Sequence, residues 1–254
     1  MDNNQEAYTS TEIVEKYVKY DSLQKGEEKI FEKFRDKITS GKILDIGIGA
    51  GRTTAHLMSF SKEYVGVDFS QPFVDYCKTK YKNQSQVSIQ FGDARKLDKL
   101  KDQDFDFILF SFNGIDYVDF EGRKKIMAEF SRLLNVGGVL SFSFHNKNNL
   151  DQLYSFQFPR NPFKYLKEWR RMNKVRTLNG NIENYKNKDW FIIKDGGDNF
   201  KVNTFYIDAL FQQQCLQELG FKTFYFHDAV TGKKLSDFDL KISTTPWIYI
   251  STHK

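Results

Sequence analysis

The chain is organised around the stretch Lys42-Ile43-Leu44-Asp45-Ile46-Gly47-Ile48-Gly49-Ala50-Gly51-Arg52, in which a short apolar run meets three glycines at alternate positions. Residues 43–46 have the length and branched side chains of a buried strand, and residues 52–61 have the period of a helix. Glycine is needed where the backbone takes a positive φ or where a ligand lies directly against it, and a helix N-terminus offers unpaired N–H groups. The stretch therefore predicts a strand, a glycine turn and a helix that bind a small ligand.

Apolar runs of strand length recur after the glycine turn, and helical patterns separate them. The predicted strands cover residues 64–69, 87–93, 105–112 and 139–144, and the predicted helices cover residues 71–81 and 121–134. Two further helical patterns lie within residues 10–38. This alternation predicts an α/β fold with a doubly wound, mostly parallel sheet and a site at the carboxyl ends of its strands.

The alternation is interrupted between residues 149 and 203. This region has an aromatic and basic helical stretch and a hairpin pattern in which residues 189–193 face residues 200–202. We interpret residues 149–203 as a cap inserted between strands 5 and 6 of one domain that spans residues 1–254, with residues 1–40 as an N-terminal helical lid. After the insertion, the predicted elements are a helix over residues 206–219 and strands over residues 221–227 and 247–252.

The composition excludes several classes of protein. The net charge of +5 is small for 254 residues, so nucleic acid is not the expected partner. Cys77 and Cys215 form no CxxC pair and the histidines have no metal spacing, which argues against a disulfide framework or a zinc site. The first residues lack a signal-peptide pattern and no window has the length of a membrane span, so we expect a cytoplasmic protein without a membrane partner.

Three acids lie at or near the ends of the first three predicted strands: Asp45, Asp68 and Asp93. In a parallel sheet they gather along one edge, beside the glycine turn, which suits an adenosine-like ligand. Asp68 can accept hydrogen bonds from ribose hydroxyls and Asp93 can meet the adenine amino group, each bond contributing roughly 1.5 to 3 kcal/mol. A single strand-end aspartate more often caps a helix or stays solvated. Three of them beside the glycines favour a ligand site.

The glycine spacing argues against a dinucleotide fold. The dinucleotide fingerprint is G-x-G-x-x-G, but its last glycine would fall at Arg52, and the glycines here run G-x-G-x-G. Residues 44–51 instead resemble the first motif of class I S-adenosylmethionine-dependent methyltransferases. The later segments that resemble the same family are Val67-Asp68, Gly92-Asp93-Ala94, Phe105-Asp106-Phe107-Ile108 and residues 132–140.

The resemblance covers about residues 40–145 and, more loosely, residues 205–252. It implies a seven-stranded sheet whose last strand, residues 247–252, is antiparallel. It also implies S-adenosyl-L-methionine as cofactor and S-adenosyl-L-homocysteine as product. The cofactor-binding residues that it implies are Asp45, Gly47, Gly49, Gly51, Asp68, Phe69, Asp93 and Ala94; Asp45 either organises the turn or meets the cofactor's amino group.

Methyl transfer from a sulfonium mainly needs the acceptor to be held close and in line, but an acceptor oxygen or amine must also lose a proton. His145 is the candidate base, because it follows the fifth predicted strand and lies beside Asn113 at the end of the fourth. A lone histidine is more often a structural residue. Asn113, Tyr17 and Tyr20 are candidate substrate-binding residues, and Tyr8 joins the two tyrosines in the predicted lid.

The acceptor is predicted by elimination to be a small molecule. Nucleic-acid amino methyltransferases carry a [DN]-P-P-[YF] element after the fourth strand, where this chain has Ser111-Phe112-Asn113-Gly114. The catechol type needs a metal, and Asp116, Asn113 and Asn146 are an incomplete ligand set, so no metal is predicted. What remains is a methyltransferase acting on oxygen or nitrogen of a sugar, an amine or a natural-product intermediate.

Two alternatives stay open. Lys164, Lys167, Arg171 and Lys174 recur at helical spacing, and they are either a solvated face or an anion-binding site that would suit an RNA- or protein-modifying enzyme. A non-catalytic partner subunit that binds S-adenosylmethionine is the other alternative. The aromatic residues of the insertion, Trp169, Trp190, Phe156, Phe158 and Phe163, either wall a pocket or form a contact in a homodimer.

Overall fold

A mixed sheet forms the centre of the protein, which a computed structural model describes over residues 11–254. The strands are β1 (Lys42–Ile46), β2 (Glu63–Asp68), β3 (Val87–Phe91), β4 (Phe105–Phe110), β5 (Leu134–Asn146), β6 (Trp190–Ile193), β7 (Thr204–Ile207), β8 (Lys222–Asp228), β9 (Lys234–Leu235) and β10 (Trp247–His253). The order across the sheet is β3-β2-β1-β4-β5-β10-β8-β9, and the hairpin of β6 and β7 is attached to the end of β5 through β7.

Helices cover both faces and the ends of this sheet. They are α1 (Thr11–Tyr17), α2 (Lys25–Lys33), α3 (Arg35–Ser40), α4 (Arg52–Leu57), α5 (Gln71–Lys80), α6 (Phe120–Leu133), α7 (Leu150–Tyr154), α8 (Tyr165–Asn179), α9 (Glu183–Lys186), α10 (Ala209–Gln217) and α11 (Asp237–Ile242). No helix in this described part of the chain is long and apolar enough to cross a bilayer.

Strand direction explains where a ligand can bind. Strands β1 to β5 are parallel, and β10 pairs antiparallel with both β5 and β8. The predicted α/β doubly wound sheet with an antiparallel last strand is thereby confirmed. The strand order places a switch point between β1 and β4, where crevices open at the carboxyl ends. Beyond the seven strands expected, the described chain adds the short strands β6, β7 and β9 to the sheet.

The hairpin of the insertion lies in a different register from the one predicted. Residues 200–202 are not its second strand; β7 begins at Thr204 instead. Asp198 and Asn199 have φ of 40° and 56°, which is incompatible with a strand and closes the loop as a 3-10 turn. The helix predicted over residues 206–219 is also shorter in the structure. Tyr206 belongs to β7, and Asp208 caps the start of α10 by accepting hydrogen bonds from the N–H groups of Leu210 and Phe211.

A buried polar network ties the N-terminal helices to the sheet. The Glu27 carboxylate, fully buried on α2, accepts from Arg52 Nη2 at 2.6 Å and from the Tyr249 hydroxyl at 2.8 Å. Ser111, just after β4, also donates to Glu27 and accepts from Arg52 at 2.9 Å. Four elements of the chain therefore meet at one carboxylate behind the glycine turn.

Substitution of Phe130 on α6 measures how much the packing of α6 on the sheet stabilises the fold. The Phe130 ring is fully buried and meets Phe110 of β4 edge to face, with centroids 6.1 Å apart. We expect Phe130→Ala to lower the free energy of unfolding by about 3–5 kcal/mol, from lost burial and the cavity left behind. Urea denaturation measures this change. Phe60→Ala, which removes an exposed ring, is the control and should change stability by less than about 0.5 kcal/mol; equal effects of the two substitutions would contradict the packing described.

Candidate active site

The glycine turn after β1 presents bare backbone to a cavity of about 210 Å³. Gly47 and Gly49 line this cavity and have φ of 66° and 51°, which L side chains rarely adopt. A Cβ added to Gly49 would come near only one atom, Tyr17 Cδ1 at 3.9 Å, so it would project into open space. The turn is therefore a cradle in which a ligand can lie directly on the main chain.

Asp68, the last residue of β2, faces the same cavity. Its carboxylate accepts from Gly49 N–H at 2.9 Å and from Ser70 N–H at 2.8 Å, and Phe69 N–H also contributes. Burial raises the pKa of Asp68 to about 6, although these three donors act in the opposite direction. Because a carboxylate can accept about four hydrogen bonds, Asp68 retains the capacity to accept from a ligand hydroxyl.

Asp93 and Ala94 lie further along the cavity, after β3. Partial burial acts to raise the pKa of Asp93, but hydrogen bonds from Arg95 outweigh it and lower that pKa. Arg95 Nε lies 3.0 Å from both carboxylate oxygens. Phe69 and Arg95 also line the cavity, so this end combines an aromatic ring, a small residue and an ion pair.

Asp45 lies beneath the glycine turn and does not line the cavity. Its carboxylate is buried and accepts from the hydroxyls of Thr53 at 2.6 Å and Tyr64 at 2.7 Å, so it connects β1 to α4 and β2. Of the two roles considered from the sequence, this position fits organising the turn and not meeting a ligand. Burial raises the pKa of Asp45 to about 7.

Two other predicted site residues also lie outside the cavity lining. Gly51 packs inward, because a Cβ there would lie 2.8 Å from the Tyr81 ring. Tyr20 is half exposed and contacts the rings of Tyr17 and Phe112. Tyr17 does line the cavity and packs against Phe73. Tyr8 lies outside the described residues.

The opposite wall of the cavity is formed after β4. Phe112 and Asn113 have φ of 57° and 60°, and two consecutive non-glycine residues in this region store backbone strain. The Asn113 N–H donates to Ser143 Oγ at 2.7 Å, which fixes the turn. Asn113 Oδ1 is buried and accepts no hydrogen bond from any residue of the described range 11–254. This oxygen is therefore available to a donor on a bound molecule.

His145 lies within β5, one residue before its end, and lines the same wall. Its Nδ1 lies 2.7 Å from Asp116 Oδ2, which also accepts from the His145 N–H at 2.6 Å. Since a carboxylate only accepts, Nδ1 is the nitrogen that donates to Asp116, which leaves Nε2 as the nitrogen that faces away from this carboxylate. Arg123 donates to the other oxygen of Asp116, and both side chains are fully buried.

Comparisons with known proteins show which sequences and folds this chain resembles. Residues 43–138 match the family model described as a methyltransferase domain. Over 102 residues the chain is 33% identical to a demethylmenaquinone methyltransferase of Leptospira interrogans, covering 38% of this chain and 40% of that protein. The chain thus spans less than half the length of this curated relative.

Solved structures share the fold. An S-adenosylmethionine-dependent methyltransferase from Mesorhizobium loti superposes with a TM-score of 0.62 and 14% identity, over 89% of this chain and 98% of that one. A Burkholderia thailandensis 1,6-didemethyltoxoflavin-N1-methyltransferase, solved with its acceptor and S-adenosylhomocysteine, gives a TM-score of 0.58 and 11% identity, over 91% and 78%. Residues 43–138 of the chain therefore carry a methyltransferase domain, and the chain shares its fold with S-adenosylmethionine-dependent methyltransferases.

Several residues around the methyltransferase domain's cavity were not found by sequence reasoning. They are Phe73, Phe110, Phe112, Tyr117 and Trp247. In the sequence, an aromatic residue at a strand end or in a helix looks like a residue of the hydrophobic core. Nothing in the neighbouring sequence therefore distinguished these cavity residues from residues that only pack. Asp116 was noticed in the sequence, but only as one of an incomplete set of metal ligands and not as a partner of His145. Residues 11–254 contain no cluster of three or more acids, histidines or cysteines that could hold a metal ion.

The raised pKa of the buried Asp45 carboxyl leads us to predict that the stability of the protein depends on pH. This pKa rises from 3.8 to about 7 on folding, so the folded state binds this proton more tightly than the unfolded chain does. The contribution of Asp45 to the free energy of unfolding therefore falls as pH rises from about 4 to 7. As pH rises across that window, we expect the free energy of unfolding of Asp45→Asn to increase by a few kcal/mol relative to that of the wild type. Urea denaturation at each pH measures this difference.

The control is Asp98→Asn, which alters an exposed carboxylate. Its stability curve should run parallel to that of the wild type between pH 4 and 7. An Asp45→Asn curve that also runs parallel would show that Asp45 is ionised in the folded protein.

Proposed function

We propose that this protein transfers a methyl group from S-adenosylmethionine to an oxygen or nitrogen of a small-molecule acceptor. One observation carries the proposal: a single cavity joins the bare backbone of Gly49 and the carboxylate of Asp68 to Asn113 and His145. A cofactor end and an acceptor end therefore share one continuous cavity, as in-line transfer requires.

The residues at the cofactor end fit S-adenosylmethionine. Gly47 and Gly49 would support its methionine part on the main chain, and Asp68 would accept from a ribose hydroxyl. Phe69 and Ala94 would flank the adenine, with Asp93 near its amino group. When bound, the cofactor supplies an electrophilic methyl on sulfur; the chain's own contribution is to hold and align both reactants.

The acceptor end suits a small molecule with a polar group. Tyr17, Phe112, Tyr117 and Trp247 enclose it with aromatic surface, which is typical of small-molecule pockets. The unpartnered Asn113 Oδ1 can accept from a hydroxyl or an amine and so orient it. The curated relatives are named for demethylmenaquinone, which is also a small acceptor.

His145 is the proposed base. Asp116 fixes the ring orientation and the tautomer through Nδ1, so Nε2 is the nitrogen that can take the acceptor's proton. Arg123 and the N–H of His145 hold the Asp116 carboxylate in turn. The imidazolium formed on proton transfer would be stabilised by the buried carboxylate, as in other His–Asp pairs.

We further propose that residues 1–254 act as one domain, in which the N-terminal residues 1–40 are a lid and residues 149–203 a cap. Tyr17 of α1 reaches the cavity, which supports the first role. Val175 and Phe191 of the cap pack in one cluster with Tyr206, whose ring lies beside His145 with centroids 5.0 Å apart, and this supports the second role. We also propose a cytoplasmic location.

Cofactor affinity should depend on Asp68. We expect Asp68→Asn to weaken binding of S-adenosylmethionine about ten- to hundredfold, because a charged acceptor is lost. In the wild type, affinity should also fall as pH drops below about 6, since protonation of Asp68 removes the same charge. The variant should lack this pH dependence. Isothermal titration calorimetry at several pH values measures both effects.

Asp98→Asn is the matched control, since Asp98 is exposed and outside the cavity. It should bind the cofactor as the wild type does. Unchanged affinity in Asp68→Asn, or wild-type affinity that is flat from pH 5 to 8, would remove Asp68 from the cofactor site.

Turnover should depend on His145. In an assay of S-adenosylhomocysteine formation over a panel of quinols, phenols, amines and sugars, we expect at least one acceptor to be methylated. His145→Gln should lower kcat about a hundred- to ten-thousandfold with little change in cofactor affinity, because a positioned base is lost.

His56→Gln provides the comparison, since His56 lies on α4 outside the cavity lining. It should leave kcat unchanged. Equal kcat in wild type and His145→Gln would assign His145 a structural role, while cofactor binding without turnover on any acceptor would favour a non-catalytic partner subunit.

A further inference from the structure

The outer face of the insertion exposes large apolar side chains. Phe158, Phe163, Leu166 and Trp169 are 81%, 95%, 56% and 52% exposed. None of them lines the cavity, so the aromatic residues here do not wall the pocket as one reading of the sequence expected. Leu166 and Trp169 are three residues apart on α8, and the Phe156 ring contacts the rings of Phe158 and Tyr165, so these side chains are neighbours. Neighbouring apolar side chains exposed to this degree mark an interaction surface in soluble proteins.

This exposure does not come from loose packing of the segment. The inner face of α8 buries Met172 and Val175, and Val175 belongs to a cluster with Tyr154 and Tyr206. Arg171 donates to the Leu153 carbonyl at 3.1 Å, and Arg176 donates to the Tyr154 carbonyl at 2.8 Å. One face of the helix is fixed against the protein while the other is left bare.

The same surface is strongly basic. Residues 156–178 contain seven Lys or Arg and one Glu, an excess larger than the net charge of +5 of the whole chain. Glu168 is paired with Arg171. Within residues 11–254 the side chains of Arg160, Lys164, Lys167 and Arg170 form no ion pair. We call these four basic residues, together with Phe158, Phe163, Leu166 and Trp169, the basic aromatic surface.

We propose that the basic aromatic surface binds the surface of an anionic lipid membrane. Phe, Leu and Trp next to unpaired Lys and Arg are the combination with which a helix lies in the headgroup region, the apolar side chains entering the lipid and the cations meeting its phosphates. The sequence-based expectation of no membrane partner rested on the lack of a spanning segment. It did not address a surface contact, because exposure is not readable from the sequence.

Two other occupants fit less well. A second copy of the chain in a symmetric contact would bring the unpaired cations of both copies together, which is unfavourable. RNA could pair its phosphates with the basic residues. Proteins that bind single-stranded RNA, however, stack its bases on aromatic rings along a groove. Here α8 presents a convex face, and Leu166 has no ring on which a base could stack. An anionic membrane uses both the apolar and the basic members of the surface.

The segment that carries the basic aromatic surface is packed close to the proposed base. Val175 and Tyr206 share one cluster, and the Tyr206 ring lies beside His145. The insertion also follows the carboxyl end of β5, the edge of the sheet at which the cavity opens. The surface is therefore linked to the proposed base through the packed inner face of α8, by way of Val175 and Tyr206.

Vesicle flotation tests the proposal. We expect the full chain to float with vesicles containing phosphatidylglycerol, to bind phosphatidylcholine vesicles much less, and to lose binding as salt is raised. Phe163→Ser should lower the partition coefficient at least about tenfold. Lys164→Gln and Lys167→Gln should each lower it about fivefold.

Matched controls lie on other faces of the protein. Phe238→Ser removes an exposed ring on α11 and Lys125→Gln removes an exposed charge on α6, and both should float as the wild type does. Thermal melts check that every variant is folded. The proposal would be overturned by no flotation with anionic vesicles, by equal flotation of the Phe163 and Phe238 variants, or by sedimentation showing a dimer that Phe163→Ser dissociates. RNA binding that the lysine variants abolish without any vesicle binding would also overturn it.

Discussion

The buried carboxylate of Asp116 holds three elements together at the wall of the cavity. It lies in the turn after β4, accepts from Arg123 on α6 and fixes both the backbone and the ring of His145 on β5. A buried pair of this kind stabilises little against an apolar replacement, but losing one partner leaves an uncompensated charge in the interior. Arg123 is further held by Gln212 of α10 at 2.5 Å. The orientation of the proposed base is therefore built into the core and does not depend on a surface loop.

Much of the site was readable from the sequence because parallel strands bring their carboxyl ends to one edge. Gly47, Gly49, Asp68, Asp93 and Ala94 come from three strand ends, and the structure places all of them on one cavity. Asn113 and His145, taken from the ends of β4 and β5, line the other wall. Strand order and direction alone carry this result, which is why short motifs at strand ends sufficed.

Other features depended on information that the sequence does not display locally. Asp45 and Gly51 belong to the same motif as Gly49, yet side-chain direction and the packing of Tyr64 and Tyr81 turn them inward. Asp116 and His145 are 29 residues apart, and their pairing is visible only once β4 and β5 are adjacent. The hairpin register was mispredicted because an aspartate and an asparagine adopt left-handed φ, which removes residues 198–200 from any strand.

The pairing of β7 with the end of β5 has a consequence for how this domain can be altered. His145 and Asn146 lie opposite Tyr206 and Ile207 of β7, and β7 pairs on its other side with β6 of the insertion. The insertion is therefore joined to the sheet by a strand ladder as well as by its two chain connections. An insertion that hung from two loops could be exchanged between relatives as a module. Here a transplanted insertion would have to supply a strand that pairs with β7 as β6 does. Deleting the insertion would leave β7, the strand beside His145, as a bare edge next to the proposed base. Divergence in this part of the chain is therefore constrained by the geometry of the site.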